Sequence, residues 1–222
     1  MSLWIKICAN TSLDDALLAA DAGANALGFV FAPSPRRVTI EQAAAIVAHL
    51  PAEVEKIGVF VDASLDEVTA AVEGAGLTGV QLHFDIATDF SARLRERFGK
   101  PLRILRVVHF ADEDLQHAGA LSDPHADGIL VDSRTASAVG GTGIVFDWNA
   151  ARRGLFSNAG ERKLIAAGGL SSENVAEAIA KLQPWGVDVV SGVELSPGRK
   201  DAAKVRAFIA NARAAVKAEN AE

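Results

Sequence analysis

Two side chains that can transfer protons stand at the ends of strand-like segments. Asp132 follows the apolar run 129–131, and Cys8 closes the segment 4–8. A carboxylate at the exit of a buried strand adds nothing to packing, because burying an unpaired charge is costly. Lys6 lies on the same strand face as Cys8, and an ammonium beside a thiol favours the thiolate, which accepts protons. The alternative is that Cys8 is only a small buried hydrophobic residue.

Glycine-rich loops follow three of the predicted strands. The loop after Asp132 closes on 140–143, and Gly141 and Gly143 would let backbone N–H groups approach a substrate anion closely. The segments 168–172 and 191–194 place glycine and serine before predicted helices, where free N–H groups and the helix dipole favour phosphate. We therefore predict that phosphate binds at four residues of these two segments, Gly168, Gly169, Ser191 and Gly192.

Other polar residues stand at further strand ends. Arg36 lies in a loop made stiff by Pro33 and Pro35, and its guanidinium could hold a carboxylate by two hydrogen bonds. Solvated surface arginines are equally common. Gln81 and His83 share one strand face and are predicted to order the substrate, although they could also satisfy each other.

Bulk composition excludes several classes of protein. The 222 residues are 50% hydrophobic, which suffices for one large core, and the apolar runs are shorter than the ~20 residues that span a bilayer. The formal net charge of −6 and the dispersed basic residues argue against a nucleic-acid partner. The single cysteine, Cys8, and an N-terminus unlike a secretory signal predict a cytoplasmic protein. The sequence does not choose between a monomer and a homodimer.

Strand and helix patterns alternate along the chain. Helices are predicted at 12–22, 39–50, 64–73, 88–98, 147–153, 171–182 and 201–216, whereas 110–126 is expected to be irregular or a stub of helix. Strands are predicted at 4–8, 26–31, 56–61, 80–83, 102–109, 129–132, 163–167 and 187–191.

Eight such units predict one (β/α)8 TIM barrel over residues 1–222, in which loops at the C-terminal strand ends carry the chemistry. An open doubly wound sheet is the alternative. That fold would usually show a G-x-G-x-x-G turn after the first strand, where this chain has A-N-T-S-L-D.

Motifs in order along nearly the whole chain resemble the phosphoribosylanthranilate isomerase family of tryptophan biosynthesis. They are K-I-C at 6–8, A-G-A-N-A-L-G-F-V-F-A-P-S-P-R at 22–36, G-V-F-V-D at 58–62, V-Q-L-H at 80–83, G-G-T-G-x-x-F-D-W at 140–148, A-G-G-L-x-x-E-N-V at 167–175 and V-D-V-x-S-G-V-E-x-S-P-G at 187–198. Other phosphate-binding barrels share the glycine loops but not the K-I-C start together with F-D-W.

The resemblance implies an Amadori rearrangement of N-(5-phosphoribosyl)anthranilate, with no cofactor and no metal. In the family's pattern Asp132 would be the general acid that opens the furanose ring, and Cys8 the general base that removes the C2 proton. Arg36 would hold the anthranilate carboxylate, and Asp188 would lie near the sugar or the amine. The phosphate would lie against the two glycine segments named above.

Three positions depart from the family's pattern. Ala9 stands where glycine usually follows the cysteine, which would cost about 1 kcal/mol if that residue needs a positive φ. Phe84 replaces a glycine, and Val190 replaces a common serine. Two other functions therefore stay open: a related phosphosugar isomerase, such as that of histidine synthesis, and a phosphosugar-binding barrel with little turnover.

Overall fold

The computed structural model describes residues 3–83, 89–111, 114–116, 118–132 and 147–219. Its main sheet contains nine strands, whose bounds are β1 (Trp4–Ile7), β2 (Ala26–Val30), β3 (Glu55–Phe60), β4 (Gly79–Leu82), β5 (Arg103–Ala111), β6 (Asp114–Gln116), β7 (Gly128–Asp132), β8 (Leu164–Ala166) and β9 (Gly186–Val189).

Eight of these strands form a closed parallel barrel. They pair in the order β4-β3-β2-β1-β9-β8-β7-β5, and a further parallel pairing of β4 with β5 closes the ring. The register places Lys6 beside Asp188 and His109 beside Asp132. Closure confirms the predicted (β/α)8 fold, and the open-sheet alternative is wrong.

Helices connect the strands, and the first residues of the helices predicted at 12–22, 39–50 and 64–73 cap the observed ones. Ser12 caps the first, and Thr39 and Ser64 form capping boxes with Gln42 and Glu67, so that free N–H groups at each helix start are satisfied. The helices are α1 (Leu13–Asp21), α2 (Ile40–Val47), α3 (Leu65–Ala75), α4 (Phe90–Phe98), α5 (Trp148–Gly154), α6 (Val175–Leu182) and α7 (Ala202–Glu219).

The connection from β5 to β7 differs from the others. β5 continues to Ala111 and pairs with β6 in an antiparallel arrangement, and a 3₁₀ helix spans Ala118–Ser122. The short helix agrees with the predicted stub, but β6 was not predicted. Arg106 points outward from β5 and donates to Asp123 at 2.9 Å, and this buried pair lies beside Ser91 of α4.

A second unpredicted element follows β9. β10 (Glu194–Ser196) and β11 (Arg199–Lys200) form a small antiparallel hairpin before α7. The predicted eighth strand ran to Ser191, whereas β9 ends at Val189. The hairpin could not be predicted, because residues 194–200 show no alternation of apolar and polar side chains long enough to indicate strands.

The core has two parts because side chains of a strand alternate between its faces. Ile5 and Ile7 point outward into the large cluster between strands and helices, whereas Trp4 points into the barrel. The inner cluster is apolar and comprises Trp4, Ala26, Ile57, Leu105, Val107, Leu130, Ile165 and Ala167. Within the described ranges, the helices are too short or too polar to cross a membrane.

Candidate active site

A cleft of about 940 Å³, counted with its open entrance, lies at the C-terminal ends of the barrel strands. This is the end at which barrels of this fold carry their chemistry. Polar residues from five strands or the loops after them line it, namely Cys8, Ser34, Arg36, Gln81, His83, Asp132, Asp188 and Ser191. Its apolar wall includes Val30, Val59, Leu130 and Ala167.

Cys8 enters the cleft directly after β1 and is 3% exposed. Its position depends on Gly28 of β2, because a Cβ at residue 28 would lie 2.4 Å from the Cys8 Sγ atom. Ala9 has a φ of 61°, the left-handed conformation that disfavours a side chain. The buried Asn10 side chain donates to the carbonyl oxygens of Ile7 and Gly28 and so holds this turn. The positive φ under which alanine would be strained at this position is thus present.

Lys6 lies one layer below Cys8, fully buried, and does not line the cleft. Its ammonium donates to Asp188 Oδ1 and to Gln81 Oε1, both at 2.9 Å. Burial lowers the pKa of Lys6, but attraction to Asp188 and Cys8 outweighs it and raises the pKa overall. Lys6 is therefore charged and acts on the cleft through Asp188 and Gln81, which do line it.

Burial raises the pKa of the Cys8 thiol above its usual value, although Lys6 lowers it in part. Lys6 does favour the thiolate, as predicted, but its effect on the pKa is smaller than that of burial. Asp188 opposes the effect of Lys6 in part, because its carboxylate repels a thiolate. The resting form of Cys8 is consequently the neutral thiol.

The remaining predicted acid, Asp132, is the last residue of β7 and is 5% exposed. It lines the same cleft as Cys8, from a strand three positions away around the barrel. Gln81 and His83 lie on one face of β4 and its exit, and their side-chain nitrogens are 2.6 Å apart. The polar chain Lys6–Gln81–His83 thus runs from the barrel interior to the cleft.

Arg36 is paired within the protein, which its surface-like sequence context did not indicate. Its Nε atom donates to Glu194 Oε1 at 2.9 Å and its Nη2 atom to Glu194 Oε2 at 2.7 Å. Both side chains are buried, and the carboxylate raises the pKa of Arg36. Arg36 still lines the cleft, so one edge of its guanidinium is turned to Glu194 while the side chain borders the cleft.

The loop after β8 has the geometry expected of an anion site. Gly168 and Gly169 have φ values of 76° and 65°, and in the described part of the chain their N–H groups have no hydrogen-bond acceptor. Asn174 holds the loop from below, because its side chain donates to the Gly169 carbonyl and accepts from the Ser171 N–H. Free, convergent N–H groups are what a phosphate requires.

The loop after β9 packs directly against this one. Gly192 pairs with Ser171 across an isolated parallel bridge, and a Cβ at residue 192 would lie 2.0 Å from the Leu170 carbonyl oxygen. Ser191 lines the cleft beside Gly168. The expectation that Ser191 and Gly192 start a helix is wrong, because the hairpin of β10 and β11 follows them. The two loops are nevertheless adjacent, as predicted.

Three of the sequence-based assignments fall outside the described residues. These are Gly141 and Gly143, predicted to bind substrate, and Phe84, one of the departures from the family's pattern. Val190, another departure, lines the cleft. In the described part of the chain, no cluster of histidine, cysteine or carboxylate side chains could hold a metal ion.

Sequence reasoning missed Gly28, Glu194 and Lys200. Gly28 was quoted within a motif but without a role, and its signal is a glycine inside a strand, which marks a close approach of another group. Glu194 and Lys200 belong to the unpredicted hairpin, and pairing over more than 150 residues leaves no local signal.

A closed (β/α)8 barrel whose thiol and carboxyl group line one cleft is typical of an enzyme that works by acid–base catalysis. Comparison with known proteins specifies the family. The model of the N-(5'-phosphoribosyl)anthranilate isomerase family matches residues 5–211, and this chain belongs to that family.

Individual relatives agree with this assignment. The N-(5'-phosphoribosyl)anthranilate isomerase of Pelobacter propionicus is 44% identical over 92% of this chain and 93% of its own length. That of Geobacter sp. strain M21 is 44% identical over 94% of this chain and 97% of its own length. The fold also superposes on the phosphoribosyl anthranilate isomerase of Thermotoga maritima, with a TM-score of 0.85 and 35% identity over 96% of this chain and 99% of that one.

A further crystal structure shows a member of the family with a bound ligand. It is a phosphoribosyl anthranilate isomerase in complex with reduced 1-(o-carboxyphenylamino)-1-deoxyribulose 5-phosphate. Its TM-score is 0.81, at 33% identity over 96% of this chain and 99% of that chain.

Proposed function

We propose that this protein isomerises N-(5-phosphoribosyl)anthranilate to 1-(2-carboxyphenylamino)-1-deoxyribulose 5-phosphate, a step of tryptophan biosynthesis. The observation that carries the proposal is the convergence of Cys8, Asp132 and Arg36 with the Gly168–Gly169 loop on one cleft. Membership of the isomerase family supports the same reaction. The reducing cytoplasm expected from the lone cysteine suits a thiol base.

The reaction needs one proton delivered and one removed. Asp132 donates a proton to the furanose ring oxygen, the C1–O bond breaks, and the nitrogen lone pair forms the iminium. The Cys8 thiolate then removes the C2 proton, and the electron pair of that C–H bond gives the enolamine. Tautomerisation to the ketone completes the rearrangement without net change in oxidation state, so the reaction consumes no oxidant or reductant.

Other residues of the cleft bind and orient. Arg36 holds the anthranilate carboxylate, since a guanidinium and a carboxylate form paired, charge-assisted hydrogen bonds. The phosphate lies against Gly168 and Gly169, with Ser191 and Gly192 beside them. Asp188 lies near the sugar or the amine, with its Oδ1 atom held by the Lys6 ammonium. Holding both ends of the substrate places C2 between acid and base.

The central experiment measures kcat/KM for the purified protein and its Asp132→Asn and Cys8→Ala variants. Each variant is expected to lose about 10²- to 10⁴-fold, the usual contribution of a general acid or base. Asp66→Asn, which changes an exposed carboxylate of α3, serves as the control. An Asp132→Asn variant with full activity would contradict its assignment as the acid.

Genetic complementation separates the three functions. The wild-type protein is expected to restore growth of a tryptophan auxotroph that lacks the isomerase, and Asp132→Asn is not. Growth of a histidine auxotroph instead would identify the related sugar isomerase. Binding of the reduced product analogue without rescue of either strain would identify a binding barrel with little turnover.

A further inference from the structure

The hairpin of β10 and β11 brings two buried charges behind the cleft. Glu194 and Lys200 are cross-strand neighbours, and their side chains are 4% and 0% exposed. Neither lines the cleft, yet each contacts a residue that does. Thr11 anchors the tip of the hairpin by donating to the Gly198 carbonyl at 2.6 Å. Through these contacts, the position of the hairpin affects the positions of Arg36 and Cys8 in the cleft.

Glu194 occupies one edge of the Arg36 guanidinium, the edge formed by Nε and Nη2. The opposite edge, formed by Nη1 and the second N–H of Nη2, is a separate pair of parallel donors. In the described part of the chain, Nη1 has no hydrogen-bond acceptor. A carboxylate in the cleft can therefore meet a guanidinium whose plane is already fixed by Glu194.

Glu194 is itself held on two sides. The Gly198 N–H donates to its Oε1 atom at 3.2 Å, and Lys200 Nζ lies 3.4 Å from the same oxygen. Lys200 Nζ also donates to the Cys8 carbonyl oxygen at 2.6 Å, at the peptide that precedes the strained Ala9. A strained conformation persists when several contacts hold it, and Lys200 supplies one of them. The hairpin thus contacts both the Arg36 guanidinium and the backbone of Cys8.

We infer that Glu194 is a positioning residue for carboxylate recognition, which orients Arg36 so that one guanidinium edge faces the anthranilate ring substituent. The inference rests on the proposed function, because it takes an aromatic carboxylate as the ligand. Glu194 contributes orientation and not attraction, since its own charge repels an anion.

Orientation and attraction predict opposite changes in the affinity for a carboxylate when Glu194 loses its charge. In Glu194→Gln the buried cluster of Arg36, Glu194 and Lys200 becomes more positive by one charge. If charge alone governed recognition, the variant would bind a carboxylate more tightly. If orientation governs, it binds more weakly, because the amide offers one acceptor oxygen in place of two and the guanidinium is free to rotate.

The test compares two stable ligands by calorimetric titration. One is reduced 1-(o-carboxyphenylamino)-1-deoxyribulose 5-phosphate, and the other is the same molecule without the carboxyl group. Glu194→Gln is expected to weaken the first by about 10- to 100-fold, the range of hydrogen bonds to charged groups. Binding of the second ligand should not change. Arg36→Met sets the full loss of carboxylate recognition, and Arg199→Gln, on the same hairpin but 71% exposed, is the control.

Each other outcome is decisive. Tighter or unchanged binding of the carboxylated ligand by Glu194→Gln overturns the inference, as does equal weakening of both ligands, which indicates general damage to the site. If the wild-type protein binds both ligands equally, Arg36 does not recognise the carboxylate and the inference falls while phosphosugar binding stands. If it binds neither, the proposed function fails too. Should Glu194→Gln not fold, Glu194→Asp keeps the charge but is one methylene too short to reach Nε and Nη2 of Arg36, and the same loss is expected.

Discussion

The two ends of the barrel interior have opposite chemistry. At the floor, which we define as the six residues of the inner cluster that do not line the cleft, Trp4 stacks on Trp185 with ring centroids 5.3 Å apart. At the mouth, defined as the buried polar residues in or directly behind the cleft, charges lie in pairs such as Lys6–Asp188 and Arg36–Glu194. One strand, β1, passes from Trp4 at the floor to Cys8 at the mouth in five residues.

The floor stabilises the fold, whereas the mouth positions the groups that react. Apolar burial at the floor stabilises by about 25 cal/mol per Å² and requires no directional contact. Buried ion pairs contribute little net stability, because desolvation offsets their attraction. The mouth therefore keeps its charges for positioning, and changes there should alter activity more than stability.

Apart from changes to the acid and the thiol themselves, the largest effect is expected from Gly28→Ala at the mouth. The added Cβ would lie 2.4 Å from Cys8 Sγ and 3.0 Å from Cys8 Cα, so the sulfur must move. A displacement of about 1 Å can cost about 100-fold in rate, and kcat should fall by that order. Gly154→Ala is the control, because its Cβ meets no atom within 4 Å. Full activity in Gly28→Ala would contradict the assignment of Cys8 to the reacting centre.

A change at the floor should lower stability and leave the reaction rate nearly unchanged. Ile57 is fully buried in the inner cluster, and Ile57→Ala leaves a cavity. The free energy of unfolding is expected to fall by about 2–5 kcal/mol, measured by denaturant titration, while kcat/KM of the folded fraction changes little. A loss of activity as large as that of Gly28→Ala would break the separation of floor from mouth.

The pH dependence of the rate tests the charges around Cys8. The base must be a thiolate, and burial raises its pKa, so kcat/KM should rise with pH through a pKa above the ordinary thiol value of about 8.5. Lys6→Met removes the cation that lowers this pKa and leaves Asp188 to raise it further. The rising limb should then move to higher pH. At neutral pH, kcat/KM should fall about tenfold for each unit by which the pKa of Cys8 increases.

The matched control is Lys163→Met, an exposed lysine that lies against Trp185 at the floor end. It removes the same charge without contacting the cleft, and its pH profile should equal that of the wild-type protein. A rising limb that moves to lower pH in Lys6→Met would contradict the thiol assignment.

The smallest effect concerns backbone strain at the mouth. Ala9 has a φ of 61°, and Ala9→Gly should raise the free energy of unfolding by up to about 1 kcal/mol, because relieved strain exceeds the added chain entropy. Ala70→Gly, in the exposed middle of α3, should lower it by about 1 kcal/mol. Chemical denaturation measures both. Equal destabilisation by the two glycines would show that Ala9 is not strained.

Local patterns were enough for most of the fold. Capping residues such as Ser12 and Ser64 act within four residues of sequence, so helix starts were readable. Strand ends were readable too, and they brought Cys8, Asp132 and Gly168 to one cleft by the topology of the barrel. The β10–β11 hairpin was not, because its strands are two or three residues long and carry no periodic signal.

By itself the sequence determined the barrel and the identity of the acid and thiol candidates, because alternation of strands and helices and residue chemistry are local properties. The charge of these groups and the direction in which they point depend on the tertiary structure. Burial and long-range pairing make Cys8 a neutral thiol, divert Lys6 to Asp188 and fix Arg36 against Glu194, which lies 158 residues away. Desolvation and hydrogen-bond geometry depend on which groups meet in space, and no spacing along the chain encodes them.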